Sequence, residues 1–165
     1  MAHIEAPDRN TCVIIRRAQD EDCAVIETIV RAAYSVYIER IGKPPGPMLD
    51  NYAQRITEGV VHVLEQTDGT VAAIIVLMVK ADHVLLDNIA VRPDRQGRGL
   101  GRALIAFAEA EARRAGLGEL RLYTHVKMIE NIALYTRLGF TETGRSHESG
   151  YDRVFMKKQV SYSPK

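Results

Sequence analysis

The 165-residue sequence predicts an α/β (α+β) fold, with helices flanking a mixed, mostly antiparallel central sheet. Three observations predict it. An apolar stretch at 83–91 and an alternating one at 119–124 are separated by a helical pattern over 99–115, which makes a βαβ unit with parallel strands. Thr67-Asp68-Gly69 sits between two apolar runs, the pattern of an antiparallel hairpin. Two last strands, 140–145 and 151–158, are joined by a polar turn around Ser149-Gly150.

Residues 11–17 open the order as a strand rich in β-branched side chains. Asp20 then caps a helix in which Cys23, Ile26, Val30, Ala33, Tyr34 and Tyr37 recur at three- and four-residue spacing. The stretch 41–47, Ile-Gly-Lys-Pro-Pro-Gly-Pro, excludes helix and central strand and reads as a rigid surface loop of the kind that borders sites. Only some forty residues precede it, too few for an independent domain, so it is not a domain linker. Met48, Leu49, Tyr52, Ala53 and Ile56 return to helical spacing, ending near Gly59.

The hairpin strands are 60–65 and 70–80. The second is apolar nearly throughout, which places it centrally with both faces covered. Strand 83–91 leads directly into Gly97, Gly99 and Gly101, and the helix beyond buries Leu100, Ala103, Leu104, Phe107, Ala108 and Ala112 before stopping at Gly116. A short helix spans 130–138 with Gly139 as its stop, and the tail from Val160 to Lys165 is expected to fray.

A 46 % hydrophobic composition at this length suits a single domain, 1–165, with an ordered core over about 11–158. The net charge is +1, from 22 Lys and Arg against 21 Asp and Glu, which argues against nucleic acid or an anionic membrane as partner. Cys12 and Cys23 fit no disulfide framework and no metal cluster; they read as small buried residues in a reducing compartment. Residues 1–10 contain no apolar signal-peptide core, and the longest apolar run, 71–79, is far short of the roughly 20 residues of a membrane span. The expectation is a soluble, cytoplasmic protein.

The glycine stretch, from Val91 to Leu104, is the most informative segment. A strand running through a turn into a helix start offers unpaired N–H groups and the positive end of a helix dipole to an anion. Two common phosphate loops do not match. No Lys-Ser or Lys-Thr follows, as G-x-x-x-x-G-K-[ST] requires, and the third glycine of G-x-G-x-x-G is replaced by Arg102.

What remains, Gln96-x-x-Gly99-x-Gly101, resembles the Q/R-x-x-G-x-G/A signature of the GNAT superfamily of acyl-CoA-dependent N-acyltransferases. Asn88-Ile89-Ala90-Val91-Arg92-Pro93 resembles the end of that family's fourth strand, and Leu134-Tyr135-x-x-x-Gly139-Phe140 its C-terminal LYxxxGF element. Element order agrees from about residue 11 to 158. The resemblance implies a GNAT-like sheet whose parallel fourth and fifth strands, here 83–91 and 119–124, splay apart.

It also implies acetyl-CoA as co-substrate, with no metal. The pyrophosphate would be held by backbone N–H groups of Gln96, Gly97, Arg98, Gly99, Leu100 and Gly101, with Arg102 beside them. The pantetheine arm would run along Ile89, Ala90 and Val91, pairing with main-chain groups of Ile89 and Val91. Tyr135 matches the family tyrosine that gives a proton to the departing thiolate, a role that suits a phenol of reference pKa about 10. Many relatives read N-x-x-A-x-x-L-Y before that tyrosine; here Met128 and Asn131 stand in that region. Asn131 lies one helical turn before Tyr135, so the asparagine's cofactor contact is carried over to it.

The acceptor, a small-molecule or peptide primary amine, must lose a proton before it attacks. Asp87 is the first candidate base, on the strand face of Leu85 and Ile89; Glu39 and His125 come after it. A carboxylate that only binds substrate or an arginine is an equal reading of Asp87. Residues from Tyr34 to Tyr52, including Glu39, Arg40 and Lys43, are expected to wall the acceptor. The expected activity is N-acetyl transfer by direct attack in a ternary complex. The alternative is a non-catalytic acyl-CoA-binding regulatory or structural module. Family look-alikes commonly form a homodimer, although no interface stripe stands out in this sequence.

Overall fold

The computed structural model describes residues 2–5 and 12–161, with the backbone alone for Ala2–Glu5. The chain divides into two compact units, Met1–Leu77 with Asn88–Phe107, and Met78–Asp87 with Ala108–Lys165.

In the first unit, β1 (Ala2–Glu5), β2 (Cys12–Arg17), β3 (Val61–Gln66) and the greater part of β4 (Val71–Val79) follow one another as antiparallel neighbours. The second half of β5 (Val84–Val91) also belongs here, and Arg92 N–H donates to the Ala72 carbonyl at 2.9 Å. The predicted hairpin is present, with one β-bulge between Leu64 and Glu65. Residues 71–77 of β4 are all buried, as a continuous apolar run requires when both faces are covered. Each Val or Ile in that run contributes about 1.5–3 kcal/mol relative to exposure.

The first predicted helix is α1 (Cys23–Tyr34), continued by α2 (Val36–Ile41) through Ser35, whose φ of −59° and ψ of −30° stay helical. Its buried stripe is Ile26, Ile29, Val30, Tyr34 and Tyr37. The start differs from expectation. Asp20–Asp22 form a 3-10 turn, and it is Asp22 rather than Asp20 that reaches back, accepting from Gln19 N–H at 2.7 Å. The reason lies in β2: Arg16 donates to both Asp22 oxygens, at 2.8 and 3.0 Å, and holds that carboxylate in place.

The proline-rich segment is not loop throughout, since Gly46–Leu49 make a second 3-10 turn with Pro47 in its first positions. Proline is excluded from a helix interior but fits a helix start, where no N–H is required of it. The next helix, α3, is correspondingly short, Tyr52–Thr57, capped by the Asn51 side chain accepting from Gln54 N–H at 3.1 Å. Leu49, expected on its apolar face, is 67 % exposed. The cysteines also depart from expectation: Cys12 is exposed and Cys23 half-buried.

The second unit contains the first half of β5, then β6 (Glu119–His125), β8 (Tyr151–Gln159) and β7 (Thr141–Glu148) in that spatial order. β5 and β6 are parallel, as predicted, over Val84↔Leu120, Leu85↔Arg121 and Leu86↔Leu122. β6 pairs antiparallel with β8 along its whole length, and β8 with β7.

Helix α4 (Leu100–Arg114) starts in the first unit and ends in the second, while α5 (Ile129–Arg137) lies wholly in the second. Gly139, at φ +97°, follows α5 in the left-handed region that glycine enters without strain. The tail does not fray where expected: Val160 is 6 % exposed, its N–H donates to Gly118 O at 2.8 Å, and Arg113 Nε donates to Ser161 O at 3.0 Å. Residues 162–165 lie outside the described residues. No helix among the described residues is long and apolar enough to cross a membrane.

Candidate functional site

The anion cradle is built from the end of β5. After Val91 the chain turns through Pro93–Arg95, a 3-10 turn closed by Arg95 N–H donating to Arg92 O at 2.8 Å. The Arg92 guanidinium grips Asp94 at 3.1 and 3.0 Å. Gln96 is extended, and its side-chain amide folds back to donate to the Val91 carbonyl at 3.2 Å. Its backbone N–H, expected to face the pyrophosphate, instead closes the turn on Pro93 O at 3.4 Å. Gly97 and Gly99 then take φ of +76° and +80°, which a Cβ would strain. These two angles swing the chain into α4.

Ala103 N–H donates to Gly99 O at 3.0 Å, so Gly99 caps the helix. The N–H groups of Leu100, Gly101 and Arg102 precede the first intrahelical bond and point out of the helix end. No acidic side chain occupies the first turn, while Arg98 and Arg102 are exposed beside it. The combined effect of dipole, free-facing amides and arginines favours an anion. Arg95 takes no part in this set: its Nε is buried, closed to a ligand, and without a hydrogen-bond partner among the described residues. A pyrophosphate or phosphate suits this donor set. Leu100, at 3 % exposure, is buried and can offer only its backbone.

Ile89, Ala90 and Val91 stand on β5. Arg92 N–H faces β4, so strand alternation turns the main-chain groups of Ile89 and Val91 to the opposite edge. Their carbonyls are engaged within the chain: Val91 O by Gln96 and Ile89 O by the Tyr34 hydroxyl at 2.8 Å. The Tyr34 hydroxyl is also 2.6 Å from Asn88 Oδ1, and Asn88 Nδ2 donates to Tyr52 Oη at 3.0 Å. Tyr52 in turn donates to Pro47 O at 2.6 Å. Tyr34, Tyr52 and Asn88 are 7, 3 and 4 % exposed. Sequence reasoning missed this network. A signal was present: Asn88 shares strand parity with Val84, Leu86 and Ala90, and a polar residue on a buried face needs partners.

In the second unit, Asp87 is half-buried and accepts from the Tyr123 hydroxyl at 2.9 Å. Tyr135, on α5, is 7 % exposed and packs its ring edge-on against Phe140, with centroids 5.6 Å apart. Asn131 directs its amide to the Met128 sulfur at 3.6 Å, next to Thr124 Oγ1 at 3.5 Å from the same atom. His125 is buried, accepts from Lys127 N–H on Nδ1 at 3.1 Å, and meets the edge of Tyr151. That bond places a neutral ring's proton on Nε2. Glu39 is exposed on α2, in the first unit. The candidates therefore fall into two sets: the cradle, Ile89–Val91 and Glu39 in one unit, and Asp87, His125, Asn131 and Tyr135 in the other.

The chain is similar to several known proteins. Over 75 residues it is 41 % identical to the [ribosomal protein bS18]-alanine N-acetyltransferase of Escherichia coli (strain K12), covering 46 % of this chain and 51 % of that protein. The chain thus spans about half the length of the first curated relatives it matches. The crystal structure of the Escherichia coli ribosomal-protein-S18-alanine N-acetyltransferase superposes with a TM-score of 0.72 at 26 % identity, covering 92 % of this chain and 96 % of that one. The Salmonella typhimurium protein yncA, solved with its cofactor acetyl-CoA, shares the fold at a TM-score of 0.67 and 24 % identity, over 93 % of this chain and 96 % of that one. Residues 25–140, which contain the hairpin, the glycine cradle, the parallel pair and Tyr135, match the family model "Acetyltransferase (GNAT) family". By that match, which spans well over half of its residues, the chain belongs to the GNAT family.

Proposed function

We propose that the protein is an N-acetyltransferase that moves acetyl from acetyl-CoA to a primary amine, by direct attack in a ternary complex. The observation that carries this reading is the amide-lined start of α4, in a chain of this family. The amides of residues 97–101, with Arg102, hold the pyrophosphate. Ile89 and Val91 offer main-chain N–H groups to the pantetheine arm, their carbonyls being already engaged. Asn131 contributes a further polar contact from α5.

Asp87 takes a proton from the amine, directly or through water, and the nitrogen attacks the thioester carbonyl. The N–C bond forms, the C–S bond breaks, and Tyr135 gives its phenolic proton to the sulfur, leaving an amide and free CoA. Of the two protons an ammonium must lose, one reaches solvent through Asp87 and the other restores Tyr135. Two carriers suffice, so no metal is needed. The acceptor is an amine of peptide or small-molecule origin, and the named E. coli relative, which acts on an alanine of a ribosomal protein, makes a peptide N-terminus the first to try.

Thiol release from acetyl-CoA in the presence of an alanine-terminated peptide, spermidine and lysine tests the proposal. Release that depends on an amine, with acetylated product by mass, supports it. Acetyl-CoA binding without release from any of the three would favour a binding module instead.

A further inference from the structure

We infer that Tyr123 is a positioning residue for Asp87, a role that rests on reading Asp87 as the proton acceptor. The parallel ladder of β5 and β6 runs through Leu86↔Leu122, so one register further Asp87 and Tyr123 are cross-strand neighbours with side chains on the same face. The Tyr123 hydroxyl donates to Asp87 Oδ1 at 2.9 Å. Beside the main-chain ladder, this side-chain bond adds a second link between the strands.

Tyr123 is itself held. The Arg153 guanidinium carbon lies 4.3 Å from its ring centroid, and Arg153 Nη1 donates to Glu148 Oε2 at 3.1 Å. Phe155, the antiparallel partner of Tyr123, packs against the same ring with centroids 6.3 Å apart. A cation over a phenol ring draws electron density from it and makes the O–H a stronger donor. The row Glu148, Arg153, Tyr123, Asp87 thus runs from the β7–β8 hairpin to the carboxylate. Tyr123 keeps its proton throughout. Its hydrogen bond selects one rotamer of Asp87 and occupies Oδ1, so that Oδ2 is the oxygen that receives the amine proton.

A single half-buried bond of this kind adds little to net stability, so the consequence falls on rate. Tyr123→Phe keeps the ring, its packing and the Arg153 contact while removing the donor. A double-mutant cycle with Asp87→Asn separates action through Asp87 from any other effect. The protein is assayed by thiol release with whichever of the alanine-terminated peptide, spermidine and lysine reacts fastest, and Tm and acetyl-CoA affinity are measured for each variant.

The expected result is a fall in kcat of roughly tenfold for Tyr123→Phe, below the about 10²-fold that a misplacement near 1 Å can cause. Tm and acetyl-CoA affinity stay unchanged, and the same substitution in the Asp87→Asn background changes kcat by less than about twofold. Equal falls in both backgrounds, or an unchanged kcat for Tyr123→Phe while Asp87→Asn is impaired, would overturn the assignment and leave Asp87 in its role. An unaffected Asp87→Asn variant overturns the role of Asp87, and that of Tyr123 with it. If none of the three amines reacts, the proposed function fails first, and Tyr123 has no reaction to serve.

Discussion

The Tyr34 hydroxyl lies 2.8 Å from the carbonyl oxygen of Ile89 and 2.6 Å from Oδ1 of Asn88, so a single phenolic hydrogen serves the backbone and a side chain of β5. Through Asn88 and Tyr52 the same network reaches Pro47 in the proline-rich turn. One residue of α1 therefore connects with the candidate acyl strand and with the segment expected to wall the acceptor.

Substituting Tyr34 and Asn88 tests how much this network supports. Tyr34→Phe removes the hydroxyl that Asn88 Oδ1 and Ile89 O share, and leaving buried polar atoms without partners costs about 1–3 kcal/mol each. Urea unfolding of Tyr34→Phe is expected to show a stability loss in that range with an unchanged m-value. Asn88→Ala is expected to lose less, about 1 kcal/mol, because the Tyr34 hydroxyl keeps Ile89 O and the Tyr52 hydroxyl keeps Pro47 O.

Much of the fold was legible in the sequence because its periods are local. Strand 71–79, the helix over 99–115 and the βαβ unit follow from runs that alternate or repeat within a few residues. The Asn88 network was not legible, since its tyrosines lie 54 and 36 residues away and only folding brings them together. The same holds for Val160, whose apparent place in a polar tail hides a main-chain bond to Gly118. In the site, the cradle could be read from glycines whose positive φ values the turn requires. Tyr123 could not, because a hydroxyl beside a carboxylate is a fact of placement.

Acid should weaken the junction of β2 and α1. The Arg16 guanidinium holds the Asp22 carboxyl below its ordinary value, helped by the Gln19 N–H and opposed by burial. A carboxyl depressed in the folded state contributes stability that is present above its unfolded pKa, about 3.9, and lost as pH falls through the lower folded value. Unfolding free energy measured from pH 6 down to pH 2 should therefore fall less steeply in Asp22→Asn than in the parent. Parallel curves would show that the Arg16–Asp22 pair contributes nothing to the acid response.

Gly99→Ala probes the cradle. Forcing a Cβ into φ +80° costs about 1–2 kcal/mol and misaligns the first amides of α4. Calorimetric titration with acetyl-CoA should show weakened binding, and thermal unfolding a lower Tm. Unchanged affinity would mean that the helix start is not the pyrophosphate site.

Tyr135→Phe probes the proton donor. Positioned general acids contribute about 10²–10⁴-fold to rate, so kcat should fall by about 10²-fold or more. Acetyl-CoA affinity should hold, because the Phe140 packing needs only the ring. A variant as fast as the parent would take Tyr135 out of the reaction and leave it a core residue.

The central claim is that this GNAT chain transfers acetyl to an amine, and stopped assays of acetyl-CoA with an amine mixture test it most directly. The predicted result is free thiol formed in proportion to a product heavier by one acetyl group, with both signals slowed about 10²-fold or more in Tyr135→Phe. Acetyl-CoA bound at the α4 start with no thiol and no acetylated amine would contradict it.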